Sequence, residues 1–586
     1  MKNKSVLYMV SVLAFIVVSS CNESFLDTKP LTEFPEEDVW TDPALSEAYI
    51  NDLYNRLPWS WTNTTNMVDE GRSFNVGAEH GVNNMLITPD NASWDDWGGR
   101  YASIRACNIF LENIDKLPAT ELKDRMVGEV TFLRAWYYHM LVSYFGGVPL
   151  ITNAYSLNDD FTLARSSYAD CIKFIADECD KAADLLPLVN TGNASGRATK
   201  GAALALKSRT LLYAASDLHN NATEYSGFSN PELLGYTDDN RADRWKAAQD
   251  AAKAVIDLGI YSLYRPDPAS GEEASQNYED FFTSRQSEED IFVRFYTSSI
   301  NRGVSAWSVN PVGYYGIETV GAITELVDDY EMADGTRFSR SNPEQALEPY
   351  KNRDPRLYAT LLYEGAKWRP RSPDLVGFDP VGVLQVGTWE KWDNETNSIV
   401  NIYGLDGRNS MVYPGGYNNT GTVMIKFVDR SVVVTDNTTQ QDLTWRYFRY
   451  GEILLNYAEA SIELGEDEEA RTYLNMIRKR AGMPEITESG DALKERYRNE
   501  RRIEMVFEDQ RFFDVRRWLI GQEAYQAVHG VEVVYELNPD KTTATVPTIT
   551  PVQIMTGSWE DKAYFFPISR EEINKNDLLI QNPGYN

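Results

Sequence analysis

The stretch Asn91-Ala92-Ser93-Trp94-Asp95-Asp96-Trp97-Gly98-Gly99-Arg100 brings two indoles, two carboxylates and a guanidinium into one short segment. A flat ring can cover the weakly polar C–H face of a sugar, while Asp95, Asp96 and Arg100 are suited to its hydroxyl rim. The plainer alternative is that one of the tryptophans only plugs a scaffold. A second stretch of this kind runs from Arg294-Phe295-Tyr296 through Trp307 to Tyr314-Tyr315. A packed strand accounts for Tyr296 as readily as a binding ring does. Trp368, Trp389 and Trp392 are lesser candidates, with Asn310 and Asp393 as polar neighbours. If the first two stretches build one platform, the fold must bring residues 94–97 near 296–307.

Catalytic chemistry finds little support. Glycoside hydrolysis needs two carboxylates facing a bond from opposite sides. Asp95 and Asp96 are adjacent, so in an extended loop they diverge, and a chance acid pair is expected in so acidic a chain. The four His are scattered without metal-ligand spacing. No zinc motif, nucleophile elbow or phosphate loop occurs. The expectation is a binding protein with no catalytic residues, no cofactor and no metal.

The elements that must hold these stretches are mostly helices. Apolar residues at 3,4 spacing predict helices over residues 44–57, 101–114, 121–144, 168–186, 200–218 and 241–258. The long one at 121–144 carries Phe132, Trp136, Tyr137, Met140, Leu141 and Tyr144, a stripe read as core. Between the first two lies a loop from Pro58 to Gly99 that holds Trp59, Trp61, Trp94 and Trp97. Loops this long are usually functional or disordered, and four Trp argue against disorder. After Tyr261 the helical period fades. Gly, Pro, Asn and Asp dominate residues 265–442, with short alternating runs at 291–296 and 423–427.

Helical periodicity returns at Arg446-Tyr447-Phe448-Arg449-Tyr450 and runs through Ile453, Leu454, Tyr457 and Ala458 to a stop at Gly465. A second helix carries Ala470, Leu474 and Ile477 before Gly482 and Pro484. This antiparallel pair has the length of one tetratricopeptide unit, which is stable only when stacked on others. A third helix, Glu500 to Trp518, interleaves Arg with Glu and Asp. It reads as a salt-bridged helix face, not as a phosphate or nucleic-acid site. The fold class expected is mainly α: a tetratricopeptide-like α-solenoid scaffold interrupted by an irregular, loop-rich middle section with a few short strands.

Of 586 residues, 56 are basic and 87 acidic, giving a net charge of −31. That excludes nucleic acid and adsorption to anionic membranes as general modes of binding. At the N-terminus, Lys2 and Lys4 precede an apolar run from Val6 to Val18, too short for a permanent membrane span. The run ends in Ser19-Ser20-Cys21, the pattern of a bacterial lipoprotein signal in which Cys21 is acylated after cleavage. Asn22 to Pro35 reads as an extended tether. Of the remaining cysteines, Cys171 and Cys179 lie on one predicted helix, about 12 Å apart and too far to bridge. Buried thiols are expected. The organisation is therefore a signal at 1–20, an acylated tether at 21–39, a helical region at 40–264, a loop-rich ligand-binding section at 265–444, and a closing region at 445–586 that completes the scaffold.

Several motifs together resemble the SusD/RagB family of outer-membrane nutrient-uptake lipoproteins of Bacteroidetes. They are Cys21 followed by Phe25-Leu26-Asp27; Phe132-Leu133-Arg134-Ala135-Trp136-Tyr137-Tyr138 running on to Gly146-Gly147-Val148-Pro149-Leu150; Asn475-Met476-Ile477-Arg478-Lys479-Arg480-Ala481-Gly482; Glu500-Arg501-Arg502-Ile503-Glu504; Asp514-Val515-Arg516-Arg517-Trp518; and Gln581-Asn582-Pro583-Gly584-Tyr585. The resemblance implies a non-catalytic surface glycan-binding lipoprotein. It implies a TonB-dependent, SusC-like outer-membrane transporter as partner, an oligo- or polysaccharide ligand, and attachment to outer-membrane lipid through Cys21. It places the glycan site just before the helix beginning at Tyr101, and further aromatic contacts between Tyr296 and Tyr315. Two other readings remain: peptide uptake, as in the RagB branch, and a glycoside hydrolase. The aromatic loops favour sugar, because peptide capture relies more on backbone pairing.

Overall fold

The structure is a computed structural model that describes residues 36–58, 64–73, 78–92, 96–156, 158–220, 227–299, 305–415 and 418–585. Cys21, Trp59, Trp61, Trp94 and Asp95 lie outside the described residues.

The longer helices of the first half are α1 (Pro43–Asn55), α2 (Trp97–Asn113), α3 (Glu121–Phe145), α4 (Tyr168–Leu185), α5 (Lys200–Ala215) and α6 (Arg241–Ile256). Their starts follow from capping. The side chains of Asp42, Thr120, Ser167 and Thr199 each accept a backbone N–H of the first turn, an interaction worth about 1 kcal/mol. The helices pack in chain order, α3 on α4, α4 on α5 and α5 on α6. Buried Ala202, Ala203, Ala205, Ala248 and Ala252 let the axes approach.

Three helices resume the stack after the middle section: α8 (Tyr450–Glu463), α9 (Asp467–Arg480) and α10 (Gly490–Glu504). The helix α7 (Gly271–Thr283) lies between, in a stretch whose sequence shows little helical period. The α8 helix packs directly on α6 and then on α9, so the scaffold closes over the excursion between them. Leu454, Leu455, Leu474 and Ile477 are fully buried at this join, each worth roughly 1.5–3 kcal/mol of apolar burial.

The strands are β1 (Gly71–Arg72), β2 (Asp290–Tyr296), β3 (Gly321–Ala322), β4 (Leu361–Leu362), β5 (Thr388–Asp393), β6 (Ser398–Tyr403), β7 (Val423–Met424), β8 (Leu443–Arg449), β9 (Val528–Tyr535) and β10 (Thr548–Met555). One expectation is corrected here. Arg446 to Arg449 does not open a helix but ends β8, which pairs antiparallel with β2, Arg294 opposite Trp445. All seven β8 residues are buried, so the strand is covered on both faces. In the closing region, β9 and β10 join β5 and β6 in a four-stranded sheet of order β10-β9-β5-β6.

The charged segment 500–518 also differs from its expected form. Phe507 and Asp509 have positive φ and break it, so α10 ends at Glu504 and a short helix α11 (Arg511–Arg517) follows. Its charges are buried and pair across the fold. Glu504 is shared by Arg449, Arg480 and Arg356, and Glu500 by Arg356 and Arg478. Arg449 also reaches Glu289 at 2.8 Å and Glu508 at 2.7 Å. Breaking such buried pairs one partner at a time is strongly destabilising, so the network locks the middle section onto the scaffold. Cys107, Cys171 and Cys179 are free and buried, in line with expectation.

Candidate functional site

Residues 55–58 and 64–72, on the chain between α1 and α2, meet the middle and closing sections. In the first stretch, the Arg294 guanidinium donates to Asn55 Oδ1 at 3.0 Å and to the Leu57 carbonyl at 3.1 Å. The Tyr447 hydroxyl donates to the Pro58 carbonyl at 2.5 Å. Further on, the Thr64 hydroxyl donates to Asp509 at 2.6 Å. At the end of the second stretch, Gly71 pairs with Ala322 and Arg72 with Gly321. Asn418 Nδ2 donates to the Arg72 carbonyl and to that of Glu318. Residues 55–58 thus meet β2 and β8, and residues 71–72 meet β3 and Asn418.

On the α2 side, Asp96 adopts a left-handed φ of 53° and is exposed. Its Oδ1 lies 2.2 Å from where a Cβ at Gly99 would stand, so the Asp96 carboxylate folds over the helix start only because residue 99 is glycine. Arg100 lies 4.9 Å from the Tyr144 ring centroid, and its buried Nη1 has no hydrogen-bond partner among the described residues. Such a donor suits a ligand oxygen. Trp97 is 5% exposed and packs edge-on against Phe145 at 4.9 Å. It forms one wall of a cleft of about 550 Å³ shared with Tyr101, Arg105, Tyr155, Phe161 and Leu579.

On the middle-section side, Tyr296 is also 5% exposed, with Arg294 over its ring at 5.1 Å. Trp307 is half-buried on the helical turn Ala306–Val309, which Ser305 caps. Its carbonyl accepts the Ile317 N–H at 3.0 Å, closing the loop 307–317. Within that loop, Gly316 passes so close to the Asn310 carbonyl that a Cβ would sit 1.9 Å from it. The resulting turn sends Tyr314 inward and Tyr315 outward. Tyr314 is buried beneath Arg371 at 4.1 Å, donates to the Arg369 carbonyl at 2.8 Å, and is pushed up to about 12 by burial. Tyr315 is 38% exposed, and its hydroxyl meets Ser372 at 3.2 Å and Asp374.

These positions bear directly on the single platform. Trp97 packs at the C-terminal end of α3, on Phe145. Phe292, four residues before Tyr296, packs on Phe132 and Trp136. Those contacts are 9 to 13 residues apart on α3, about 13–20 Å along its axis. Trp97 and Tyr296 are both core rings and do not form one open stacking surface. The accessible candidates are Asp96 and Arg100 at the start of α2, and Trp307 and Tyr315 in the middle section. Trp368 is buried, and Trp389 is stacked on Tyr535 at 4.5 Å and 7°. Trp392 lies under Lys541 at 3.9 Å.

Sequence reasoning missed Asp69 and Glu70. Burial alone would raise the Asp69 carboxyl, but Arg502 and Arg511 outweigh it and hold it at about 2. Burial, reinforced by Asp69 next door, pushes Glu70 up to about 8. Split acid pairs can do acid–base chemistry. Here both are buried and Asp69 is held in ion pairs, which makes them structural. Their only signal in the sequence is adjacency. Among the described residues, no group of three or more His, Cys, Asp or Glu could hold a metal ion, and no helix is long and apolar enough to cross a membrane.

The profile described as the SusD family matches residues 269–585, and that described as "Starch-binding associating with outer membrane" matches residues 24–212. The chain is 22% identical over 556 residues to the SusD-like protein P38 of Formosa agariphila, covering 90% of this chain and 94% of that one. A solved SusD-like protein from Bacteroides fragilis NCTC 9343 is 29% identical, with a TM-score of 0.73 over 95% of this chain and 100% of that chain. A SusD-like carbohydrate binding protein from the same organism superposes with a TM-score of 0.70 at 24% identity, over 92% of this chain and 99% of that chain, and shows the shared fold alone. The first profile alone spans more than half of the residues, and the chain belongs to the SusD family.

Proposed function

We propose that this chain is a non-catalytic glycan-binding lipoprotein of the outer-membrane surface. It captures oligo- or polysaccharide and delivers it to a TonB-dependent, SusC-like transporter, and it is held in the membrane by lipid on Cys21. Family membership supports the class. The observation that carries the glycan reading is a pair of accessible rings in the middle section, the half-buried Trp307 and the exposed Tyr315. At the start of α2, the exposed Asp96 and the half-buried Arg100 are the candidate polar groups. Rings with flanking carboxylate and guanidinium groups match the alternating faces and hydroxyls of sugars. Trp94 and Asp95 belong to the same proposed site by their place in the chain. The charge of −31 suits a neutral ligand better than an acidic one.

A peptide ligand finds support in one feature. The β6 strand is a sheet edge, and all six of its residues are exposed, including Ile399, Val400 and Ile402. An open edge can accept an extended peptide. A glycan array run beside a peptide pull-down on the chain beginning after Cys21 separates the two. Binding to glycans and not to peptides supports the main reading, and the reverse result replaces it.

A further inference from the structure

A cleft of about 700 Å³ opens between α7 and residues 352–367. It falls within the size range of ligand sites. Its rings are held rigidly. Tyr363 is stacked on buried Tyr350 at 4.1 Å and 17°. The Tyr358 hydroxyl accepts the Arg353 N–H at 3.0 Å and donates to the Tyr350 carbonyl at 2.8 Å. Tyr363 and Tyr358 thus stand half-exposed with their orientation already fixed, so a stacking ligand need not order them.

The polar lining is the complement of this. Glu272, Ser275, Asn352 and Lys367 line the cleft, and their side chains make no hydrogen bond or ion pair among the described residues. A carboxylate, a hydroxyl, an amide and an ammonium offer acceptors and donors in one small space, with opposing charges. That mixture suits a polyhydroxylated neutral ligand, whose every hydroxyl both donates and accepts. A phosphate or sulfate would meet Glu272 unfavourably, and a purely apolar ligand would leave all four groups unmatched.

A short stretch of chain also joins the cleft to the turn at Tyr314 and Tyr315. Arg430, on the cleft wall, lies over the Trp368 ring at 4.6 Å and donates to the Lys367 carbonyl at 3.3 Å. Two residues on, the Arg369 carbonyl accepts the Tyr314 hydroxyl, and Arg369 Nη2 reaches Asn310 at 3.0 Å. One short strip, Lys367-Trp368-Arg369, therefore meets the cleft at one end and the Tyr314–Tyr315 turn at the other.

We propose that this cleft is a second carbohydrate subsite, taking neutral sugar units of a polymer whose other units rest at Trp307 and Tyr315. The proposal rests on the glycan reading for its ligand class. Two linked contacts would hold a polymer more tightly than either holds a short piece.

Affinity electrophoresis of the chain beginning after Cys21, in gels cast with starch, laminarin, xylan, mannan or pectin, tests it. Ser275→Trp fills the cleft from a half-buried helix surface, and Lys367→Ala removes an exposed donor. Both should melt like the wild type. On the polymer that retards the wild type, Ser275→Trp should weaken retention roughly tenfold or more, Lys367→Ala should weaken it to a smaller extent, and Ser275→Trp with Trp307→Ala should abolish it. Wild-type retention by Ser275→Trp and Lys367→Ala overturns the second subsite and leaves the first reading intact. Loss in Ser275→Trp with none in Trp307→Ala keeps the cleft and removes Trp307 from the site. If no polymer retards the wild type, the glycan reading falls, and this subsite with it.

Discussion

Arg511 grips Asp69 through two hydrogen bonds, Nε to Oδ1 at 2.9 Å and Nη2 to Oδ2 at 2.8 Å, across 442 residues of sequence. Arg502 approaches the same carboxylate at 3.1 Å. This buried contact joins the closing helices to the chain between α1 and α2.

Removing Asp69 leaves two guanidinium groups buried without their shared partner. Asp69→Ala is expected to cost about 3–5 kcal/mol of stability, and Arg511→Ala less, because Arg502 still holds the carboxylate. The pair Asp69→Ala with Arg511→Ala should cost less than the sum of the singles. Denaturant unfolding of the four proteins measures this. Strict additivity would show that the contact carries no coupling.

Glu70 predicts a pH dependence. Its carboxyl keeps a proton up to about pH 8 in the fold, against 4.5 in the unfolded chain. Between those values the folded state binds more protons, so stability present below 4.5 is lost as pH rises through 8. The slope from this one group approaches about 1.4 kcal/mol per pH unit. Glu70→Gln keeps an acceptor for the Phe507 N–H, which now lies 3.3 Å from Oε1. Its melting temperature should fall less than the wild type's from weakly acidic to weakly alkaline buffer. Parallel curves would assign the proton elsewhere.

The helical scaffold was legible because each helix needs only its own residues to show a period, as with Ala202, Leu206 and Ala214 on α5 or Leu454 and Ala458 on α8. What failed to show depends on partners far away in the chain. Arg446 to Arg449 continues smoothly into a helical pattern, and only β2, some 150 residues earlier, makes it a strand. Trp97 and Tyr296 are aromatic residues beside loops, which reads as binding until Phe145 and the β2–β8 pair bury them. The charged run at 500–518 has the spacing of local ion pairs, yet its partners include Asp69, Arg356, Arg449 and Arg480. The cleft at Tyr363 left no trace in sequence, since unpartnered side chains such as Ser275 and Lys367 look like any surface residues.

Cys21 carries the prediction of attachment. Cys21→Ala should move the protein from membrane to soluble fractions, and a palmitate analogue should label the wild type and not the variant. Equal labelling of both would remove the lipid anchor from the account.

The central claim is that sugars stack on the rings of Trp94 and Trp307, and calorimetric titration with a glycan identified on the array tests it most directly. Trp94→Ala and Trp307→Ala should each lose roughly 2 kcal/mol of binding, about thirtyfold in affinity, while melting close to the wild type. Trp97→Ala, by contrast, should lower the melting temperature, since Trp97 is a buried ring against Phe145. Undiminished affinity in both Trp94→Ala and Trp307→Ala would contradict the account and move the site away from these rings.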